Sequence, residues 1–177
     1  PGGLAAATIF TCAIFAAITG SSVACAATIS LIALPALISR GYNKNMCYGL
    51  LAAGGTLGIM IPPSAAMILY ASVTNESLGQ LFIAGVVPGI ILALIFAAYG
   101  VLRSVRSGEY EKVPRASWGE RFSALKSSVL GLLAPVIILG GLYIGVFTPT
   151  EAGSVAVVYS LIAVLASRQL KLKDLMP

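Results

Sequence analysis

The side chains that could do chemistry in this sequence gather in two short clusters of glycine, hydroxyl-bearing and proline residues. The first cluster, called here the first break, is Gly20-Ser21-Ser22. The second break runs from residue 54 to residue 64 and joins Gly54-Gly55-Thr56-Leu57-Gly58 to Ile61-Pro62-Pro63-Ser64. Carbonyl and hydroxyl oxygens without a carboxylate suit a weakly held alkali cation, and a helix N-terminus after a break can face an anion. The two breaks therefore predict a site for a cation and an anionic substrate.

Both breaks also have a structural interpretation. Glycine and serine let transmembrane helices pack closely, and prolines kink helices that have no binding role. In the second break, Pro62 and Pro63 remove two backbone donors and push Ile61 out of the α region, so a helix must stop there. Such a break is tolerated inside a membrane where the freed backbone groups line a cavity or bind something. Packing and binding both remain open for the first break, whereas the density of breakers in the second favours binding.

The sequence lacks the residues that most enzymes and metal sites use. It contains no histidine, and no Asp or Glu lies in either break, so a membrane-embedded enzyme would have no general base there. The three cysteines, Cys12, Cys25 and Cys47, have no C-x-x-C spacing, which favours buried small hydrophobes over reactive thiols. We therefore predict a protein that is not an enzyme and has no cofactor.

Composition places these clusters in a membrane. Of 177 residues, 58% are hydrophobic and only 10% are charged, against about 25% charged in a soluble domain. The chain has charge-free runs of 39, 31, 26, 24 and 16 residues, and a helix needs about 20 apolar residues to cross the hydrocarbon core. This pattern excludes an ordinary soluble enzyme, a disordered tail and a nucleic-acid module. It predicts an all-α integral membrane protein.

The elements that would position the two breaks follow from the apolar runs. Residues 4–38 are too long for one upright span, so we expect two half-length helices in a re-entrant hairpin that turns at the first break. The alternative is one tilted, kinked span. The other predicted elements are a broken helix at 46–73, spans at 81–102, 129–147 and 152–167, and a cytoplasmic loop at 103–128 with an interfacial helix that begins at the Ser117–Glu120 capping box.

Basic residues predict the orientation of these elements. All 11 lysines and arginines of this chain lie in three regions, residues 40–44, 103–126 and 168–173. With the spans placed as above, all three lie on one side of the membrane. The positive-inside rule assigns that side to the cytoplasm.

Glu151 is an isolated carboxylate between two predicted spans. It could relay protons, but Thr148-Pro149-Thr150-Glu151 has the spacing of a capping box with proline at the first helical position. We therefore expect Thr148 and Glu151 to cap a helix.

Four motifs in this order resemble the large membrane subunit of the tripartite ATP-independent periplasmic (TRAP) transporters. They are Ile18-Thr19-Gly20-Ser21-Ser22-Val23-Ala24, Arg40-Gly41-Tyr42, Gly55-Thr56-Leu57-Gly58-Ile59-Met60-Ile61-Pro62-Pro63-Ser64 and Phe147-Thr148-Pro149-Thr150-Glu151-Ala152. The resemblance covers nearly the whole chain, and the Gly-x-Leu-Gly-x-x-Ile-Pro-Pro-Ser stretch is its most specific part.

The resemblance implies a function and partners. Such subunits are elevator-type, sodium-coupled symporters of organic acids, such as C4-dicarboxylates, keto acids or sialic acid, built from two inverted repeats in the bacterial inner membrane. They work with a small membrane subunit and a periplasmic substrate-binding protein. We accordingly expect this chain to be a fragment of a larger transporter that carries one half of the site. A proton-coupled elevator transporter or a channel of another family is the alternative.

Carried over residue by residue, the family's sodium and substrate sites fall on both breaks. Sodium would be the coupling ion, and no other metal is implied. The implied binding residues are Gly20, Ser21, Ser22, Gly54, Gly55, Thr56, Gly58, Ile61, Pro62, Pro63 and Ser64.

Overall fold

The computed structural model describes residues 2–108 and 117–166, and within those ranges the regular secondary structure is entirely helical. The predicted all-α fold is confirmed. By length and composition, three helical segments can cross a membrane, Lys44–Thr74, Leu78–Ser107 and Trp118–Tyr143. In chain order the helices are α1 (Gly3–Thr19), α2 (Ser22–Ile38), α3 (Lys44–Met60), α4 (Ala65–Thr74), α5 (Leu78–Ser107), α6 (Trp118–Tyr143) and α7 (Pro149–Ala166).

The chain divides into two compact units, the first containing α1 to α5 and the second containing α6 and α7. Of the predicted cytoplasmic regions, residues 109–116 of the central loop and the basic cluster at 168–173 lie outside the described residues.

A left-handed glycine separates α1 from α2. Gly20 ends α1 with φ 62° and ψ 15°, and its N–H donates to the carbonyl of Ala16 at 2.9 Å. Ser21 follows in an extended conformation, and its Oγ accepts the N–H of Ala24 at 3.4 Å, which makes it the N-cap of α2. Glycine tolerates positive φ and serine is a favoured N-cap, so local chemistry places the reversal here. The re-entrant path of this hairpin through a bilayer stays a prediction.

Helix α3 packs along both arms of the α1–α2 hairpin. The core of the first unit lies at these contacts and contains Leu57 together with all three cysteines, which are free thiols no more than 1% exposed. The thiol of Cys25 donates to the carbonyl of Cys12 at 3.4 Å. The cysteines are buried small side chains, as predicted.

Helix α5 packs against α1, α3 and α4 through one face of small side chains. The helix is longer than the predicted span at 81–102 because Ser77 caps its N-terminus and a left-handed Gly108 ends it. Pro88 lies inside the helix without ending it. Apart from Phe82, the buried face consists of Gly85, Gly89, Ala93, Ala97, Gly100 and Ser104, each three or four residues from the next.

In the second unit, α6 differs from the prediction. The interfacial helix predicted within 103–128 and the span predicted at 129–147 form one continuous helix from Trp118 to Tyr143. The Ser117–Glu120 capping box starts this helix, and Pro135 lies inside it without ending it. The helix stops before residue 147 because Gly145 adopts φ 79° and the turn folds Phe147 onto Gly141, whose carbonyl accepts the N–H groups of Val146 and Phe147.

A side-chain hydrogen bond links α7 to α6. The half-buried Tyr159 hydroxyl donates to the carbonyl of Leu130 at 2.6 Å. We expect Tyr159→Phe to lower the free energy of unfolding by about 1 kcal/mol, because the lost bond is intramolecular and lies between two apolar helices. The melting temperature in detergent measures this loss. Tyr143→Phe is the control, since that hydroxyl makes no such bond in the described residues, and an equal loss in both variants would contradict the prediction.

Candidate functional site

The two breaks meet in the first unit. The N–H of Ala65, at the start of α4, donates to the carbonyl of Gly20 at 3.2 Å. The backbone at Gly20 lies so close to the carbonyl oxygen of Pro63 that a Cβ on Gly20 would collide with it. The first break therefore lies directly against the Pro63-Ser64 part of the second break.

The glycines of the second break bring α3 close to both arms of the hairpin. A Cβ on Gly58 would lie 2.7 Å from the carbonyl carbon and oxygen of Ser21 and from the nitrogen of Ser22. A Cβ on Gly55 would lie 2.6 Å from the Cβ of Ala26, and one on Gly54 would lie 2.7 Å from the Sγ of Cys12. Close packing is therefore the structural role of these glycines. Gly58 in particular lets α3 touch the backbone of the first break.

Four helix ends converge where the breaks meet. The C-terminal end of α1 at Gly20 and that of α3 at Met60 carry partial negative charge, since the last carbonyls of a helix lack intrahelical donors. Pro62 and Pro63 cannot supply donors for the carbonyls of α3. The N-terminal ends of α2 and α4 follow directly and carry partial positive charge. The arrangement offers carbonyl oxygens to a cation and N–H groups to an anion.

Ser64 is the one polar side chain of the second break that is buried without a partner. Its residue is 0% exposed, and its Oγ makes no hydrogen bond to any described residue. It stands at the N-cap position of α4, with φ −126° and ψ 128°, yet its side chain caps no N–H. A buried hydroxyl without a partner costs about 1–3 kcal/mol, so Ser64 Oγ is the polar atom at the junction whose hydrogen bonding the described residues leave unsatisfied.

The remaining predicted residues do not all join this junction. Pro62 is buried, Ser22 is half-buried at the first turn of α2, and the half-buried Ile61 ends α3 by donating its N–H to Leu57 at 2.8 Å. Thr56 is exposed, and its hydroxyl donates to the carbonyl of Ala53 at 2.6 Å. The structure does not bring Thr56 together with the others, because it lies on a different side of α3 from the glycines that face the hairpin.

Two glycines of α5 that were not among the predicted site residues let this helix pack closely against the second break. A Cβ on Gly85 would lie 2.8 Å from the carbonyl oxygen of Met60, and one on Gly89 would lie 2.8 Å from the Cγ1 of Ile61. Sequence reasoning missed both residues, although Gly85-x-x-x-Gly89 is a recognisable spacing for close helix packing in membranes. Through these glycines α5 packs directly on the second break.

The chemistry of the junction is that of neutral oxygen and nitrogen dipoles. No group of three or more His, Cys, Asp or Glu residues that could hold a metal ion occurs in the described ranges 2–108 and 117–166. Carbonyl and hydroxyl oxygens are hard ligands, which bind hard cations in preference to soft transition metals. The junction therefore fits an alkali cation better than a transition metal.

Thr148 and Glu151 make the reciprocal hydrogen bonds of a capping box at the start of α7. The Glu151 carboxylate accepts the N–H and the hydroxyl of Thr148, both at 2.8 Å, and the Glu151 N–H donates to Thr148 Oγ1 at 3.3 Å. The N–H bond, followed by the hydroxyl bond, holds the pKa of Glu151 below its ordinary value. A carboxylate that is bound and ionised in this way is a poor proton relay.

We expect Glu151→Gln to lower thermal stability while leaving the ion dependence of transport unchanged, because the charged acceptor of the capping box is lost. Since the folded pKa is lowered, the carboxylate contributes its stabilisation above the unfolded pKa and loses it as the pH falls through the folded pKa. The stability difference between the two proteins should therefore disappear at acidic pH. Melting curves against pH measure this, with the exposed Glu76→Gln as the control. Normal stability combined with lost ion dependence would contradict the assignment.

A family model and several curated proteins match this chain. The model described as "Tripartite ATP-independent periplasmic transporter, DctM component" matches residues 1–177. A C4-dicarboxylate TRAP transporter large permease protein of Pseudomonas aeruginosa is 44% identical over 174 residues, which are 98% of this chain and 40% of that protein. The chain thus spans well under half of the relative's length.

Relatives with other printed substrates are similar over the same region. An ectoine TRAP transporter large permease protein of Halomonas elongata is 38% identical over 98% of this chain and 41% of its own length. A sialic acid TRAP transporter permease protein of Haemophilus influenzae is 35% identical over 91% of this chain and 26% of its own length. The shared region therefore occurs in permeases named for C4-dicarboxylate, for ectoine and for sialic acid.

Proposed function

Because the chain belongs to the DctM-component family of tripartite ATP-independent periplasmic transporters, we propose that it forms one half of the transport site of a sodium-coupled symporter. The relatives are named as permeases, so the prediction that the protein is not an enzyme is confirmed, and it is a multi-pass membrane protein. The substrate proposed for the complete protein is an organic acid, with a C4-dicarboxylate first because of the 44% identical relative.

The observation that carries this proposal is the junction of the two breaks around Ser64. The Oγ of Ser64 is buried without a hydrogen-bond partner among the described residues. The carbonyl of Gly20, in the first break, accepts the N–H of Ala65, which follows the second break. Na⁺ is a hard cation that binds neutral oxygens, so the Ser64 hydroxyl and the carbonyl ends of α1 and α3 are the groups that would hold it. These residues fit the ion because they supply oxygen dipoles and no competing positive side chain.

The anionic substrate would bind to the N-terminal helix ends at the same junction. The N-terminal ends of α2 and α4 direct N–H groups and partial positive charge toward the region where the breaks meet. A carboxylate bound there would lie near the cation. Each charge would then favour binding of the other, and this coupling is reciprocal by linkage. That mutual stabilisation is the physical basis of symport at such a site.

The partners and location of the complete protein follow from the family. We propose that it acts with a small membrane subunit and a periplasmic substrate-binding protein in the bacterial inner membrane. The loops at 40–44, 103–126 and 168–173 would be cytoplasmic. A second hairpin and a second broken helix of the full-length protein would complete the site.

Transport by the reconstituted full-length protein tests the proposal. With its partner subunits in proteoliposomes, uptake of a labelled C4-dicarboxylate should require an inward sodium gradient rather than a potassium gradient at the same pH. In Ser21→Ala/Ser22→Ala the half-saturating sodium concentration should rise, since the N-cap that shapes the first break is lost. Ser39→Ala, at the opposite end of α2, is the matched control.

Two outcomes would contradict this function. Uptake driven by a proton gradient alone would favour the proton-coupled alternative. An unchanged sodium dependence in Ser21→Ala/Ser22→Ala, at normal protein level and melting temperature, would leave the first break with a packing role only.

A further inference from the structure

The first turns of α6 carry an uncovered apolar stripe. Trp118, Phe122, Leu125 and Val129 are spaced four, three and four residues apart, which places them on one face of the helix. Their exposed fractions are 82%, 70%, 55% and 43%, so among the described residues this face is largely exposed, most of all at Trp118 and Phe122. We propose that the stripe docks on the membrane surface and binds the headgroups of anionic phospholipids.

Two cations flank the stripe, one on each side. At about 100° per residue, Arg121 lies roughly 60° to one side of Trp118 and Lys126 roughly 80° to the other. The Arg121 guanidinium carbon is 5.0 Å from the centroid of the Trp118 ring, so the indole orients the cation at the edge of the stripe. A guanidinium in this position can form two hydrogen bonds to one phosphate group.

Glu120, the acidic residue in the first turn of α6, lies away from the proposed membrane-facing side of the helix. Glu120 lies roughly 200° from Trp118 on the helix, on the opposite face. Its carboxylate is held there by the backbone N–H and the hydroxyl of Ser117, at 2.6 and 2.9 Å. The face that carries the aromatic residues therefore presents positive charge alone, which complements an anionic surface.

The length of α6 places the start of the stripe, Trp118 and Phe122, at the headgroup level. The helix has 26 residues, which at about 1.5 Å each exceeds a hydrocarbon core of about 30 Å. Residues 127–143 are uncharged, so the apolar end of the helix belongs in the hydrocarbon and the excess length lies at the Trp118 end. Tryptophan and arginine are both favoured at this depth. A single helix thus joins the apolar segment to a surface anchor.

Trp118 is the only tryptophan of this chain and reports directly on the proposal. The full-length protein would be placed in vesicles of phosphatidylcholine with and without phosphatidylglycerol, whose acyl chains are brominated near the glycerol end or near the methyl end. The spectrum of Trp118→Phe, subtracted from that of the wild type, isolates the emission of Trp118. None of these measurements depends on transport.

We expect bromine near the glycerol end to quench Trp118 more than bromine near the methyl end. Quenching should increase with phosphatidylglycerol and decrease with salt, since the attraction is screened. Arg121→Gln and Lys126→Gln should each weaken the binding of phosphatidylglycerol, measured from the quenching, about five-fold, the equivalent of about 1 kcal/mol per cation. Lys44→Gln, which neutralises a lysine of the first unit, should have no effect.

Three results would overturn the proposal. Absence of bromine quenching in every vesicle would mean that protein covers the stripe. Quenching that is equal in neutral and anionic vesicles and unchanged in Arg121→Gln/Lys126→Gln would show that anionic headgroups are not recognised. Stronger quenching by bromine near the methyl end would place Trp118 in the hydrocarbon interior.

Discussion

Gly58→Ala is expected to destabilise the first unit by about 1–3 kcal/mol, although alanine is the better helix former. The new Cβ would lie 2.7 Å from the carbonyl carbon and oxygen of Ser21 and from the nitrogen of Ser22. Those atoms belong to the backbone at the N-terminus of α2, so no side-chain rotation can relieve the contact. Either α3 must move away from the hairpin or the first break must change its conformation.

Gly49→Ala on the same helix is the control for this variant. No atom lies within 4 Å of a Cβ at Gly49, so only the helix propensity changes and stability should rise by up to about 1 kcal/mol. The two substitutions are chemically identical and are expected to have opposite signs. Melting temperatures of the two variants measure the difference, and sodium-driven uptake should fall in Gly58→Ala alone. Equal stability in both would show that α3 does not press on the first break.

Ser64→Ala is expected to lose sodium affinity without losing stability. In the absence of sodium the variant should be as stable as the wild type or more stable, by up to about 1–3 kcal/mol, because a buried hydroxyl without a partner is removed. If Ser64 Oγ binds the coupling ion, the half-saturating sodium concentration should rise about tenfold or more, as expected for the loss of a bond to a charged group.

The sign of the stability change makes the Ser64 experiment decisive. Ser72→Ala is the matched control on α4, since that hydroxyl is exposed and bonded to the carbonyl of Ile68 at 2.7 Å. A less stable Ser64→Ala in sodium-free buffer would mean that the hydroxyl has a structural partner in the full-length protein. An unchanged sodium dependence would remove Ser64 from the proposed cation site and leave the backbone carbonyls as its ligands.

Where helices begin and end was largely readable from the sequence, since the responsible interactions span only a few residues. Gly20 accepts a positive φ, and Ser21 caps the next turn. Pro62 and Pro63 cannot continue α3. The prediction differed from the structure at α6. It divided this helix at residue 129 into an amphipathic interfacial helix and an apolar span. A change of composition alters what a helix contacts, but it does not interrupt the backbone hydrogen bonds, so α6 continues.

Which residues meet could not be read from local patterns. The sequence marked Gly54, Gly55 and Gly58 as one cluster, but the structure turns Gly54 toward α1 and the other two toward α2. It leaves Thr56 exposed and brings Gly85 and Gly89 against the second break. A glycine is equally compatible with a turn, a helix contact and a ligand site. Only its neighbours in space decide among these roles.

The residue types and their order are enough to predict that this chain is helical and membrane-embedded, where its helices break, and which oxygen-rich segments could hold a cation and an anion. These properties follow from hydropathy over about 20 residues and from the backbone chemistry of glycine, proline and capping side chains, which act locally. Two further properties depend on the three-dimensional packing: the two breaks meet through the hydrogen bond from the Ala65 N–H to the Gly20 carbonyl, and Ser64 Oγ is left without a partner among the described residues. Both depend on how α3 and α5 pack against the hairpin, and this packing is set by contacts between residues that are far apart in the chain.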